Sequence, residues 1–337
     1  MKNILYISPF SIYPSYNGGS RYIYNYLQEL SKKNKIIFIG LKEQKKIPSN
    51  TLLKQYNVFQ TGIKKYINPL AYWRIVKIAQ KEKLDEIVVA MPYQLLFGIF
   101  LARIFNVQCV LHEQNIEFLR FRRLGKWWWP VMYAYEQISY LLVDKILYIS
   151  DTDKDKLLTY FHVPIEKLEY SPYIVDPHIF KPNQTARETV RKELHLDHKQ
   201  VVLFFGPLDY QPNSEALDII INKIAPQVYQ KNTKIKFLIV GKNPPENINA
   251  KNIICTGVVE KIEDYINASD LVIVPLLSGG GVRTKILESL FCEKLVISTS
   301  IGAEGIPIKD YANKLIINKN IEDFSQQIID TFHHHEN

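Results

Sequence analysis

In the stretch LLSGGGVRTKILESL, residues 276–290, three glycines and two cations open what reads as a helix. A helix N-terminus carries partial positive charge, so Arg283 and Lys285 in a first turn are disfavoured unless an anion joins them. Gly279, Gly280 and Gly281 let the backbone come close to a ligand, and the amides that follow are donors without helical partners. This combination describes a phosphate pocket. Lys285 and Glu288 are three apart and share one helix face. Two cations suit a diphosphate, and Glu288, one turn deeper, suits sugar hydroxyls. The stretch is not a P-loop, because no Gly-Lys-Ser/Thr follows, and Gly-x-Gly-x-x-Gly fails at Thr284. A capped surface helix with an i,i+3 ion pair would use the same lysine and glutamate but leaves the glycines unexplained.

Other residues with chemical potential are scattered. His112 ends the strand-like run VQCVLH, as a structural hydrogen-bonder or as a site residue. Glu113 and Glu117 follow it. DTDKD, residues 151–155, reads as a capped helix start, and no Asp-x-Asp stretch stands in a loop suited to a metal-bound diphosphate. No metal is expected. Cys109, Cys255 and Cys292 lack zinc spacing and are expected to be reduced and buried. The terminal HHHEN reads as a tail or tag remnant with weak metal affinity at most.

These residues need elements to position them. NILYIS (3–8), KIIFIG (35–40), EIVVAM (86–91), VQCVLH (107–112) and KILYIS (145–150) are continuous apolar runs. Helical spacing lies between most of them, at 20–33, 70–83, 93–105, 128–143 and 152–161. Unbroken rather than alternating hydrophobicity marks strands buried on both faces of a parallel sheet. After a connector, the pattern restarts with VVLFFG (201–206), KIKFLIVG (234–241), NIICTG (252–257), DLVIVPL (270–276) and KLVIST (294–299). Helices are expected at 213–230, 260–268, 282–292 and 320–332. The chain thus divides into an N-terminal domain 1–175, a connector 176–198 and a C-terminal domain 199–337. The fold class is α/β, with two Rossmann-like doubly wound parallel sheets and a site in the cleft they face. Ligands in such sheets sit beyond the strands' carboxyl ends, and DLVIVPL runs straight into the glycines.

Length and composition agree with this division. A chain of 337 residues suits two domains, and 47% hydrophobic with 23% charged residues is an ordinary globular composition. No apolar run is long enough to span a bilayer, and no secretory cleavage pattern follows the N-terminus, so a cytoplasmic protein is expected. Charge is uneven. Residues 1–180 hold 24 Lys and Arg against 15 Asp and Glu, whereas the remainder holds 18 against 19. The first half therefore suits an anionic surface or ligand, or simply carries a lysine-rich solvated face. Within it, FLRFRRLGKWWWPVMYAYEQISYLL (118–142) mixes basic residues with three tryptophans. That mixture suits the inner face of an anionic membrane or a lipid-linked acceptor, or else a long packed helix.

PLLSGGGVRTKILESLFCEKLVISTSIGAEGI resembles the donor-site segment of family-4 glycosyltransferases, enzymes of the GT-B fold. FFGPLDYQPNSEALDIIINKIAPQV (204–228) resembles the opening of their C-terminal domain, and SPFSIYPSYNGGSRYIYNYLQELSKKN (8–34) their first N-domain loop and helix. LHEQNIE (111–117), Glu136 and ILYISDTD (146–153) follow the family's order of elements. The resemblance implies that Arg283 and Lys285 hold the donor diphosphate and that Glu288 binds the nucleotide ribose. It implies that Gly18 and Gly19 bring amides to the distal phosphate or the sugar, and that His112 sits beside the reacting centre. Gly302, Ala303, Glu304 and Gly305 would flank the nucleotide. Two features depart from the family. Gly280 stands where the first glutamate of an E-x7-E pair belongs, and Gln211 and Pro212 stand where many relatives carry phosphate-binding cations. The chain also stops soon after the 320–332 helix, so a truncated or minimal C-terminal domain is expected.

The expected activity is metal-independent sugar transfer from a nucleotide-diphosphate donor to a glycan or lipid-linked acceptor, with retention and in cell-surface polysaccharide assembly. No cofactor and no nucleic acid are expected. Two alternatives remain. A sugar-nucleotide epimerase or hydrolase needs an acid/base carboxylate pair, for which Glu113 and Glu117 are the nearby candidates. A non-enzymatic membrane- or nucleic-acid-binding module would rely on the basic first half and show steep salt dependence.

Overall fold

A computed structural model describes residues 1–14, 18–48, 52–244 and 250–334. It contains two compact units, one of residues 1–174 with Gly280–Val282, the other of 175–279 with 283–337. Terminal residues His335, Glu336 and Asn337 of the HHHEN tail lie outside the described residues.

The first unit runs β1 (Asn3–Ile7), α1 (Gly18–Ser31), β2 (Lys35–Leu41), β3 (Leu53–Phe59), α2 (Lys64–Ile67), α3 (Pro69–Lys81), β4 (Glu86–Ala90), α4 (Leu95–Phe105), β5 (Gln108–His112), α5 (Glu117–Arg123), α6 (Trp129–Leu142), β6 (Lys145–Tyr148), α7 (Asp151–Phe161) and β7 (Leu168–Tyr170). Its seven strands are all parallel, in the order β3-β2-β1-β4-β5-β6-β7. Alternate residues face opposite sides of the sheet. Leu5 and Ile7 join Ala71 and Ile75 of α3, Leu95 of α4 and Tyr140 of α6 on one side. Ile4 and Tyr6 join Ile23 and Leu27 of α1 on the other. Ser150 caps α7, accepting from the Asp153 amide at 3.2 Å, so DTDKD opens a capped helix as expected.

The second unit runs α8 (Gln184–Glu193), β8 (Gln200–Phe205), α9 (Gln211–Ile219), α10 (Ala225–Lys231), β9 (Ile235–Val240), β10 (Ile253–Gly257), α11 (Ile262–Ala268), β11 (Leu271–Val274), α12 (Thr284–Phe291), β12 (Leu295–Thr299), β13 (Leu315–Asn318) and α13 (Asp323–His334). A π-helical turn, Ile220–Ile224, joins α9 to α10. Six parallel strands take the order β10-β9-β8-β11-β12-β13. Both sheets therefore have the dinucleotide-fold order, with the chain reversing direction of growth beside β1 and beside β8.

The structure corrects several expectations. Edge strands β3, β7 and β13 carry no long apolar run and were not anticipated. The presumed connector contains α8, whose Val190 is its only buried residue. That helix is held by polar anchors instead: Arg187 and Arg191 both pair with Asp270. Cys109 and Cys292 are buried, but Cys255 is exposed because β10 is an edge strand. No helix among the described residues is long and apolar enough to cross a membrane.

Candidate functional site

The second sheet's switch point lies between β8 and β11, and the loops beyond both carboxyl ends converge there. The loop after β11 turns through Gly279, with φ of 103°, and Gly281, with φ of 73°. Both values lie in the region that L-residues avoid, so glycine is required. A Cβ on Gly279 would also come within 2.8 Å of the Arg283 guanidinium. Arg283 is the residue preceding α12, which begins at Thr284 rather than 282, and its Nη2 lies 3.4 Å from the Ser278 carbonyl. Ser278 Oγ donates to Glu215 of α9 at 2.8 Å.

Lys285 is the centre of this cluster. Its Nζ donates to Asn213 Oδ1 at 3.1 Å, and Asn213 Nδ2 donates to the Pro207 carbonyl at 2.8 Å. The ammonium stands 4.7 Å from the Phe204 ring centre. Gly206, with φ of 142°, lies so close that an added Cβ would approach Nζ to 3.1 Å. Burial, and after it repulsion from Arg283, lowers the Lys285 pKa to about 7, with Glu288 offsetting part of both effects. A cation held this way gains most from an arriving phosphate. Glu288 is fully buried one turn further along α12. At the end of β12, Thr299 Oγ1 donates to the Leu276 carbonyl at 2.5 Å and accepts from the Gly302 amide at 2.8 Å. Gly302 allows this approach, since a Cβ there would meet the Val274 carbonyl at 2.7 Å. Gly305, with φ of 80°, closes the turn beside Glu304.

In the first unit, Gly18 and Gly19 form the first two residues of α1, a first turn without acidic side chains. His112 is the last residue of β5 and is fully buried. Its Nδ1 lies 2.7 Å from the Tyr6 hydroxyl, and the rings of Tyr26 and Tyr22 stand 4.1 and 4.6 Å from it. Nε2 makes no hydrogen bond among the described residues. Burial lowers its pKa to about 3, so the imidazole is neutral near pH 7.

The segment after His112 is built around carboxylates. Glu136 of α6 accepts from the backbone amides of Glu117 and Phe118 at 2.7 and 3.0 Å. Tyr140 donates to Glu113 at 2.6 Å and lies 3.1 Å from Glu136. Burial raises the pKa of both, Glu136 to about 8. Glu117 is bound by Arg120 and by the Tyr93 hydroxyl. Within 118–142, Trp128 packs 4.1 Å from Phe121, Trp129 packs near Phe118, and Trp127 is exposed.

The structure thus brings Gly279, Arg283, Lys285 and Glu288 together with Gly302 and Gly305 in one sheet's loops, and places His112, Gly18 and Gly19 in the other unit. Asn213, Glu215 and Gly206 join the first cluster without having been singled out. Gly206 had a readable signal, a glycine directly after the unit's first apolar strand. Asn213 had none, being one position past the two where a cation was sought.

Solved structures share the fold. The chain superposes on Alr3699/HepE from Anabaena, solved with UDP and glucose, with TM-score 0.73 and 13% identity, covering 100% of this chain and 91% of that one. Sucrose-phosphate synthase from Thermosynechococcus elongatus gives 0.76 and 14% identity over 99% and 90%. Such identities establish the fold. A stretch of 145 residues is 31% identical to an uncharacterized 44.6 kDa protein in a cps region of Klebsiella pneumoniae, covering 39% of this chain and 37% of that protein, so the match spans little more than a third of the relative's length. A family profile described as Glycosyltransferase Family 4 matches residues 16–178, and one described as Glycosyl transferases group 1 matches 199–334. The double parallel-sheet fold and these matches define a glycosyltransferase of the GT-B type. The chain belongs to glycosyltransferase family 4.

Proposed function

We propose that this glycosyltransferase moves a sugar from a nucleoside-diphosphate donor, bound at the β8/β11 switch point, to a glycan or lipid-linked acceptor served by the basic first unit. The observation that carries this reading is Lys285, a desolvated ammonium beside Arg283 at a glycine-lined strand end. Transfer breaks the bond between the anomeric carbon and the diphosphate oxygen while an acceptor hydroxyl oxygen bonds to that carbon and its proton passes to the departing diphosphate oxygen. Negative charge grows on the departing diphosphate, and Lys285, Arg283 and the amides opening α12 are preorganised to stabilise it. Glu288 fits a ribose contact. His112, neutral and enclosed by tyrosines, fits a hydrogen-bonding role near the sugar better than proton transfer. Retention of configuration is what the family resemblance implies, and independence of divalent ions is expected because no Asp-x-Asp stretch stands in a suitable loop. The UDP and UDP-glucose complexes of Alr3699/HepE support a nucleotide-sugar donor. The cps-region relative supports a place in polysaccharide assembly.

An epimerase or hydrolase is less well supported. Glu113 and Glu117, its candidate acid/base pair, are buried and engaged by Tyr140, backbone amides, Arg120 and Tyr93. The test is product formation. Radiolabelled nucleotide sugars are incubated with polysaccharide and lipid extracts, with and without EDTA. Label moved to an extract component, unaffected by EDTA, is the expected result. Label released only as free or epimerised sugar would favour the hydrolase or epimerase.

A further inference from the structure

The outer faces of α4 and α6 are apolar where a surface helix is normally polar. On α6 the exposed residues are Pro130, Val131, Ala134, Ile138, Leu141 and Leu142, a continuous helical stripe without one polar side chain. On α4 they are Leu96, Phe100, Arg103 and Ile104. Phe100 and Leu141 are more than half exposed, at 57% and 54%. Single exposed apolar residues are ordinary, but two stripes on helices that pack against each other are not. Tyr72 of α3 stacks 4.4 Å from Phe97 of α4, so α3 continues the same layer and adds exposed Leu70 and Trp73.

Charge says what covers this surface. On α3 to α6 the only acidic residues are Glu117 and Glu136, and both are fully buried. The exposed charges on these helices and in the α5–α6 turn are all basic: Arg74, Lys77, Lys81, Arg103, Arg122, Arg123 and Lys126. Arg103 stands 3.6 Å from Asp144, just past α6, and the exposed acids nearest in sequence lie off these helices, Asp85 before β4 and Asp151 and Asp155 on α7. Lys77 lies over the exposed Trp73 ring at 3.6 Å, a cation held beside an amphipathic ring of the kind that favours a membrane interface. An apolar protein partner would not call for this one-sided rim.

We infer that the α3/α4/α6 face of the first unit docks on an anionic lipid bilayer, with Phe100, Ile138 and Leu141 entering the acyl boundary and the surrounding cations meeting headgroup phosphates. This shifts the membrane contact from the 118–142 segment as a whole to the outer faces of α3, α4 and α6, because Trp128 and Trp129 are engaged in packing. It goes beyond the transfer reading, since it rests on no donor-site residue.

The test is cosedimentation of the full chain with phosphatidylcholine vesicles and with vesicles that also contain phosphatidylglycerol. Binding to the anionic vesicles that weakens with added salt is expected. Ile138→Asp with Leu141→Asp, and separately Phe100→Asp, should each lower the partition coefficient by about tenfold or more. Arg122→Glu with Arg123→Glu should do the same. Each variant's melting temperature without ligand shows whether its fold is intact, which keeps this test separate from the donor reading. Binding that needs the arginines but ignores all three apolar changes overturns the inference, leaving surface adsorption only. No vesicle binding also overturns it. In that case, a dimer that Ile138→Asp converts to monomer in light scattering would assign the face to a second copy of the chain.

Discussion

Lys285 and Asn213 meet at 3.1 Å across the switch point of the second sheet, one from the helix after β11, the other from the helix after β8. The amide of Asn213 is itself fixed by the Pro207 carbonyl, so the lysine nitrogen is held in place before any phosphate arrives. Preorganisation of this kind lowers the cost of stabilising a departing diphosphate.

Lys285→Met should therefore separate binding from stability. Loss of a charge-assisted contact should weaken donor binding by about 2 kcal/mol, roughly thirtyfold, in calorimetry. The folded chain holds the lysine at about 7 against 10.5 for the free side chain. Between those values the unfolded chain binds the extra proton, so the ligand-free protein gains stability as pH rises through that window. Below pH 7 the cost of burying the ammonium is fully present. The variant should melt higher than wild type at pH 6 and differ less at pH 9. Donor binding at pH 8 should take up a proton, seen as a buffer-dependent heat that the variant lacks.

Asn213→Ala removes the carbonyl that orients the ammonium without touching its charge. Donor affinity should fall by about 1 kcal/mol, roughly fivefold, and the effect should shrink to nothing in a Lys285→Met background. Equal effects in both backgrounds would show that Asn213 acts elsewhere.

Much of the fold was legible because buried parallel strands announce themselves as unbroken apolar runs. All ten anticipated strands are present, from NILYIS to KLVIST. The missed ones are edges. In β3, LKQYNVF, only Val58 and Phe59 are buried, and β7 is three largely exposed residues. α8 was invisible for a similar reason, since Arg187 and Arg191 fasten it to Asp270 and no apolar face marks it. The donor-type cluster was legible from Gly279 to Glu288, where glycines and misplaced cations conflict with ordinary helix rules. Asn213 and Glu215 were not, because their roles arise only when two loops, far apart in sequence, meet at one sheet edge.

Glu136→Gln tests the carboxylate core behind His112. Glu136 is raised to about 8, and Glu113 is also raised, so the folded chain holds protons that the unfolded chain releases above about 4.5. Stability should fall as pH rises from 5 toward 8. Glutamine cannot ionise, so the melting temperature should vary less over that range, but its single carbonyl oxygen can accept from only one of the Glu117 and Phe118 amides, so the variant should also be less stable by about 1–3 kcal/mol. Glu136→Leu leaves both amides unpaired and should cost about 2–4 kcal/mol in denaturant unfolding.

Gly279→Ala places a Cβ at φ of 103° against the Arg283 guanidinium. The strain should cost about 1–2 kcal/mol of stability, and displacement of Arg283 should weaken donor binding further than the stability change explains. Melting curves with and without donor separate the two effects.

The central claim is that residues 279–288 hold a nucleotide sugar. A thermal-shift panel of nucleotide sugars on wild type, Arg283→Ala and Glu288→Ala tests it most directly. At a hundredfold excess over the dissociation constant, binding adds about 2.7 kcal/mol, a shift of several degrees. The account predicts that one or a few nucleotide sugars stabilise the wild type and that both substitutions abolish the shift. A wild type that no nucleotide sugar moves, or a shift untouched by either substitution, would contradict it.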